Sequence, residues 1–329
     1  MIWIKKETVN STVTDFYLET IGNALESLGC QVQYTDDLRL IPTGKNHAIV
    51  VSTAPDAMKA YSKCKKIIYW AQGVWPEESL MRNGSKLRFF LSGVIEKWAL
   101  KKAAFVFFVS EAMKEFYEKK YSLNFDGRYY IMPCSNEELH DASFFTEGKY
   151  TDNVFCYAGG TSVWQCFEET IALYKKIEEK HQNTKLLLLV KDKEVALAYI
   201  QKYNVQNYEI NFVPVSKLPD VLKSVKFGFV LREASAVNYV ATPTKVLTYL
   251  ANGLIPIYSS SLEGIHGILQ DSQFCVRYGN GGDISAIEKY MTEPVHPQEV
   301  LQDYETIYKR HYARETHLTK LRNTLAVFR

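Results

Sequence analysis

From Asn153 onward, short runs of Val, Leu, Ile and Phe alternate with stretches whose apolar residues recur at helical spacing. NVFCYAGG precedes a helix predicted over about 164–180, KLLLLVK one over about 193–203, and YEINFV the stretch SKLPDVLKSV. FGFVLRE is followed by PTKVLTYLANG, LIPIYS by SLEGIHGILQ, and QFCVRY by a helix from about Asp283. Continuous apolar strands separated by helices describe a parallel sheet covered on both faces, a Rossmann-like domain. The first part of the chain is less regular but similar, with a helix over about 14–28, a strand near 31–34, and the runs HAIVVS, KKIIYWAQ and AAFVFFVS.

The predicted organisation is therefore α/β, with one Rossmann-like domain over residues 1–146 and a second over 147–300. The polar stretch HDASFFTEGKYTDN links them, and a last helical segment, 301–329, can pack across both. Length agrees, since 329 residues exceed the roughly 250–300 at which a single core stops growing. Open α/β sheets take ligands at the carboxyl ends of their strands, so two facing domains enclose a cleft lined by those loops.

The segment 227–259, FGFVLREASAVNYVATPTKVLTYLANGLIPIYS, carries the most chemistry. A buried strand ends in Arg232 and Glu233, and a helix follows with Thr242 as predicted N-cap and Pro243 at its first position. Such a start turns the backbone N–H groups of Thr244 and Lys245, and the positive end of the helix dipole, toward an anion. Arg232 and Lys245 add two cations, an arrangement suited to a diphosphate. The alternative is that Arg232 pairs with Glu233 at the surface while Lys245 is merely solvated.

Gly159 and Gly160 follow the first strand of the second domain, where a backbone can approach a ligand closely and Thr161 and Ser162 can donate to phosphate oxygens. A plain turn is the commoner reason for such a pair. Trp164, Phe167, Ile171 and Tyr174 share one helical face and read as core. Gly279, Gly281 and Gly282 follow the strand QFCVRY, where a tight turn is the commoner reading and contact with a bound ligand the alternative.

The counterpart in the first domain is IIYWAQGVWPEESLMRNGSKLR. Trp70 and Trp75 can stack on pyranose faces, and Gln72, Glu77, Glu78 and Arg82 offer hydrogen bonds or a base, although Pro76, Glu77 and Glu78 equally suit a helix start. Next comes an amphipathic stretch in which Leu87, Phe90, Leu91, Val94, Ile95 and Trp98 are flanked by Lys86, Arg88, Lys97, Lys101 and Lys102. It fits two surroundings, the core of its own domain, which is the commoner, or an anionic membrane surface.

The strand-end Arg, the Pro-Thr-Lys helix start, the Tyr-Leu-Ala-x-Gly helix end and LIPIYS together resemble the donor region of family 4 glycosyltransferases and their bacterial polysaccharide-synthesis relatives. The strings Gln-Gly-x-x-Pro-Glu-Glu-Ser and FVSEAMKEFYEKKY resemble the same enzymes. The resemblance implies the GT-B fold and transfer of a sugar, with retention, from a nucleotide diphosphate sugar to a saccharide or lipid-linked saccharide hydroxyl in surface polysaccharide synthesis. It gives Arg232 and Lys245 the leaving diphosphate; an inverting reaction would make Glu78 or Glu77 the base. The donor set is then Gly159, Gly160, Thr161, Lys191, Arg232, Thr244, Lys245 and Thr248, and the acceptor set Gln72, Trp75, Glu77, Glu78 and Arg82. One departure stands out: the family's paired glutamates, eight positions apart, are Val240 and Thr248 here, leaving the ribose contact to Thr248.

Composition removes other classes. With 47% hydrophobic and 23% charged residues the chain is globular, and a net charge of +2 does not suggest a nucleic-acid partner. Six scattered cysteines without CxxC or neighbouring histidines read as reduced cytosolic thiols. The N-terminus lacks an apolar signal core and no run of about 18 apolar residues occurs, so a cytoplasmic protein is expected, with peripheral contact at the inner face of a membrane as an option. No Asp-x-Asp, Walker A or Gly-x-Ser-x-Gly string is present; neither metal nor cofactor is expected, the nucleotide sugar being a substrate. A nucleotide-sugar epimerase of the same architecture and a non-catalytic partner subunit remain as alternatives.

Overall fold

The computed structural model describes residues 1–6, 12–135, 137–161, 165–279 and 282–328, so Ser162, Trp164 and Gly281 lie outside the described residues. The first sheet contains β1 (Ile2–Lys5), β2 (Val32–Thr35), β3 (Ala48–Val51), β4 (Lys66–Ala71), β5 (Phe105–Phe108) and β6 (Tyr129–Ile131), in the order β2-β1-β3-β4-β5-β6. The second contains β7 (Asn153–Ala158), β8 (Thr184–Leu189), β9 (Tyr208–Asn211), β10 (Phe227–Val230), β11 (Ile255–Ser259) and β12 (Val276–Tyr278), in the order β12-β11-β10-β7-β8-β9. Neighbouring strands run parallel throughout. The expected apolar runs become β3, β4 and β5, buried because helices cover both faces. The short strands β1 and β6 were not evident in the pattern.

In the second sheet the chain steps outward from β7 to β9 and then returns to the other side of β7 as β10. That reversal opens a crevice between the carboxyl ends of β7 and β10, just ahead of Gly159 and Arg232. The helix Thr244–Ala251 lies directly on β10, and the ring of Tyr249 occupies the space a side chain at Gly228 would need, 2.3 Å from a Cβ built there. Gly253 ends this helix with φ +70°, a left-handed conformation that suits glycine, and its carbonyl accepts from the buried Tyr150 hydroxyl at 2.7 Å.

The two halves are tied at several levels. Leu139, Phe144 and Tyr150 pack in the C-terminal core, so part of the stretch assigned to residues 1–146 lies against the second sheet. At the other end, helix Pro297–His311 packs on the second domain through Val300, Leu301 and Tyr304, while helix Arg314–Thr324 lies along helix Thr12–Ser27 and contributes Leu321 to the first. Between the sheets, the short helix Ala236–Val240 inserts Val240 into the N-terminal core. Ser110 accepts from the Met113 amide at 3.0 Å, capping helix Glu111–Tyr121, and donates its hydroxyl to the Val240 carbonyl at 2.7 Å.

Because Ser110 both caps a helix and satisfies a buried carbonyl, Ser110→Ala is expected to lower the unfolding free energy by about 1–3 kcal/mol in urea titration. Ser110→Thr should recover much of the loss, whereas an unchanged midpoint for Ser110→Ala would contradict the interdomain contact.

Candidate functional site

Arg232 follows β10 by two residues, and its position is set by its own backbone. Its N–H donates to the Ser259 hydroxyl at 2.7 Å and its carbonyl accepts from Ser261 at 2.9 Å, tying the loop to the end of β11. The guanidinium is half-buried and donates to the carbonyls of Leu231 (2.7 Å) and Gln165 (3.4 Å). Lys245, in the first turn of the Thr244–Ala251 helix, points its ammonium over the Tyr157 ring at 3.9 Å and donates to the Gln165 side-chain oxygen at 3.4 Å. Both cations thus converge on neutral oxygens of one glutamine.

Among the described residues, no carboxylate lies within ion-pair distance of either cation, and Arg232 does not pair with the exposed Glu233. Burial, and then the Arg232 charge, hold the Lys245 pKa well below the ordinary lysine value. Burial likewise lowers that of Arg232. Two like charges taken partly out of water without a counter-ion are an unfavourable arrangement unless an anion completes it.

Gly159 closes the site from the β7 side. With φ +148° and Lys245 Nζ only 2.8 Å from where a Cβ would stand, it lets the ammonium pass over the loop. The hydroxyl of Tyr157 donates to the Gly160 carbonyl at 2.5 Å, and the Ala158 amide donates to the Tyr249 hydroxyl at 3.0 Å, so loop and helix are held together. Thr161 donates to Asp192 at 3.2 Å instead of facing open space, and Lys191 stands exposed just beyond β8. Cys166, in the left-handed region with φ +49°, opens the helix Phe167–Lys180, which starts later than expected and buries Phe167, Ile171 and Tyr174. A cavity of about 330 Å³ is lined by Cys166, Glu169, Lys176, Arg232, Tyr278 and Gly282.

Some expectations are corrected. Pro243, not Thr242, occupies the cap position of the Lys245 helix, and the Thr242 hydroxyl instead accepts from the Cys134 amide at 3.4 Å, joining it to the interdomain segment. The first-turn amides of Thr244 and Lys245 retain the orientation of any helix start. Thr248 is half-buried one turn beyond Thr244. The side chain at 240 faces the apolar N-terminal core, where a glutamate would be buried away from water; the valine follows from the domain contact.

On the facing side, a cavity of about 510 Å³ at the ends of β3 and β4 is lined by Ser52, Thr53, Tyr69, Gln72, Trp75 and Glu78. Gln72 is exposed there, and Glu78 is held by Arg82 at 3.0 Å within helix Trp75–Asn83. Trp70 is not available for a sugar: it is 1% exposed and packs at a tilt against Tyr17, centroids 4.4 Å apart, in the core. Glu77 is engaged by Lys120 at 2.8 Å.

Beneath this loop lies a residue the pattern did not reveal. Glu96 is fully buried and accepts from the Trp75 amide (3.1 Å), Tyr121 (2.7 Å), Tyr117 (2.9 Å) and Lys120 (3.2 Å). Burial raises its pKa above the usual carboxylate range against the pull of Lys120 and the tyrosines. It fixes the start of the Trp75 helix, which touches the Ala236–Val240 helix of the loop between Arg232 and Lys245.

The chain superposes on solved structures of glycosyltransferases. Sucrose-phosphate synthase from Thermosynechococcus elongatus matches with TM-score 0.68 and 12% identity, over 98% of each chain. WaaG, a glycosyltransferase involved in lipopolysaccharide biosynthesis, matches with TM-score 0.57 and 13% identity, over 99% of this chain and 98% of that one. S. aureus TarM, solved with UDP, matches with TM-score 0.63 and 11% identity, over 94% of this chain but only 59% of TarM. No family model and no curated protein sequence matches the chain. The architecture is thus the GT-B fold, two Rossmann-like domains facing a cleft.

A lysine with a lowered pKa destabilises the folded state in full below that pKa, and the penalty fades as pH rises from it toward the ordinary lysine value. Lys245→Met is therefore expected to raise the stability of the free protein at neutral pH by about 0.5–2 kcal/mol. The same substitution should weaken UDP or GDP binding roughly 10- to 100-fold by calorimetry. Lower stability together with unchanged affinity would contradict an anion site at Lys245.

Proposed function

We propose that this chain is a metal-independent glycosyltransferase that moves a sugar from a nucleotide diphosphate sugar to a saccharide hydroxyl. The observation that carries this reading is the cation pair, Arg232 and Lys245, at the topological switch point of the second domain with no carboxylate partner among the described residues. A departing diphosphate gains negative charge as the glycosidic bond breaks, so these cations interact more strongly with the transition state than with the bound donor. The UDP in the TarM structure supports a nucleotide donor. The lipopolysaccharide role of WaaG supports a place in surface polysaccharide synthesis, and hence a saccharide or lipid-linked saccharide acceptor.

The acceptor belongs in the cavity beside Gln72, Trp75 and Glu78, with domain closure completing the site. Retention is the stereochemistry that the resemblance to family 4 glycosyltransferases implies; the leaving phosphate oxygen then takes the acceptor proton and no protein base is needed. The six cysteines are all unpaired, in keeping with work on the cytoplasmic side.

Incubation with a panel of UDP- and GDP-sugars, followed by NMR of the anomeric proton, is expected to show hydrolysis or transfer with the donor's configuration kept. Arg232→Ala should abolish it, whereas Glu78→Gln should change the rate by less than the roughly 10²–10⁴-fold that loss of a general base produces. Isomerised donor would instead indicate an epimerase, and silence across the panel a non-catalytic subunit.

A further inference from the structure

The helix Lys86–Lys102 was expected, as the commoner case, to turn its apolar side toward its own core, and only part of it does. Ile95 and Trp98 are half-buried against the N-terminal core. Leu87, Phe90, Leu91 and Val94 stand out in solvent, 69%, 66%, 52% and 55% exposed. Their spacing places them on one helical line, which Lys97 and Lys101 continue. The helix carries five cationic side chains, Lys86, Arg88, Lys97, Lys101 and Lys102, and its one carboxylate is the buried Glu96. Met81 and Arg82, also exposed, extend the mixed apolar and basic surface onto the preceding helix.

We propose that this face rests the protein on an anionic lipid bilayer, with Leu87, Phe90, Leu91 and Val94 entering the boundary of the acyl chains and the surrounding lysines and arginines meeting anionic headgroups. No helix among the described residues is long and apolar enough to cross a membrane, so the attachment is in the plane of the surface. Charge argues against a second copy as the occupant: a two-fold pairing of this face would set its cations against their counterparts. The groove between the two helices, about 430 Å³, is lined by Arg82, Arg88, Leu91 and Trp75. Trp75 also lines the acceptor-side cavity, so the groove and that cavity adjoin at this side chain. A lipid-borne acceptor would reach the site without leaving the bilayer. This docking needs neither Arg232 nor Lys245 and stands or falls apart from the sugar chemistry.

Flotation of the full chain, without nucleotide, with vesicles of phosphatidylcholine alone or mixed with phosphatidylglycerol tests it. The protein is expected to float with the anionic vesicles and not with the neutral ones. Phe90→Glu/Val94→Glu should weaken partitioning roughly tenfold or more, and Lys97→Ala/Lys101→Ala roughly 10- to 30-fold. All four positions are exposed, and an unchanged circular dichroism spectrum shows that the fold is kept. The proposal is overturned if the wild-type chain stays with the soluble fraction in the presence of phosphatidylglycerol, if both variants float as it does, or if light scattering without lipid shows a dimer that Phe90→Glu/Val94→Glu dissociates.

Discussion

The Arg232 guanidinium and the Lys245 ammonium are held toward the same glutamine, partly out of water, and among the described residues no carboxylate answers them. Repulsion between two such groups disfavours the free protein, and the surrounding structure is what keeps them in place. The return of the chain across β7 sets the two loops beside each other. Glycine at 228 lets Tyr249 seat the helix that bears Lys245, and glycine at 159 leaves room for the ammonium above the loop. On the proposed function, a diphosphate would convert this unfavourable charge arrangement into binding energy, and more so as negative charge develops on the leaving group. On that proposal, stability of the empty protein and affinity for an anion are opposed at these two residues.

The same loop joins the domains. Between Arg232 and Lys245 the chain sends Val240 into the N-terminal core, and Ser110 fastens its carbonyl. The loop between Arg232 and Lys245 is thereby in contact with helix Trp75–Asn83, whose start is fixed from below by Glu96. A buried carboxylate with four donors is rigid only because each is supplied, by Trp75, Tyr117, Lys120 and Tyr121. The two loops facing the cleft are thus braced against each other by one short helix and one buried acid.

Much of this was legible from residue order. Parallel strands buried on both faces leave runs such as KLLLLV and HAIVVS, and a strand-end arginine before a Pro-Thr-Lys helix start reads as two cations that the topology brings together. What escaped depended on distant partners. Glu96 is a lone acid in a basic helix, and the tyrosines that hold it lie on the later helix Glu111–Tyr121. The part played by Gln165 was not legible because a neutral side chain beside two cations is visible only once the loops have closed. Trp70 looked like a sugar platform because a strand pattern does not say how deeply its last residues sink. Thr242 had the chemistry of a cap, but Pro243 ends the extended segment one residue later and frees the threonine for the Cys134 amide.

The most direct test of the central claim is a crystal structure of the chain with a nucleoside diphosphate. The diphosphate is expected between Gly159 and the start of the Thr244–Ala251 helix, with its oxygens within hydrogen-bond reach of Arg232 and Lys245 in place of the Gln165 contacts. A diphosphate bound elsewhere, with both cations still turned to Gln165, would contradict it.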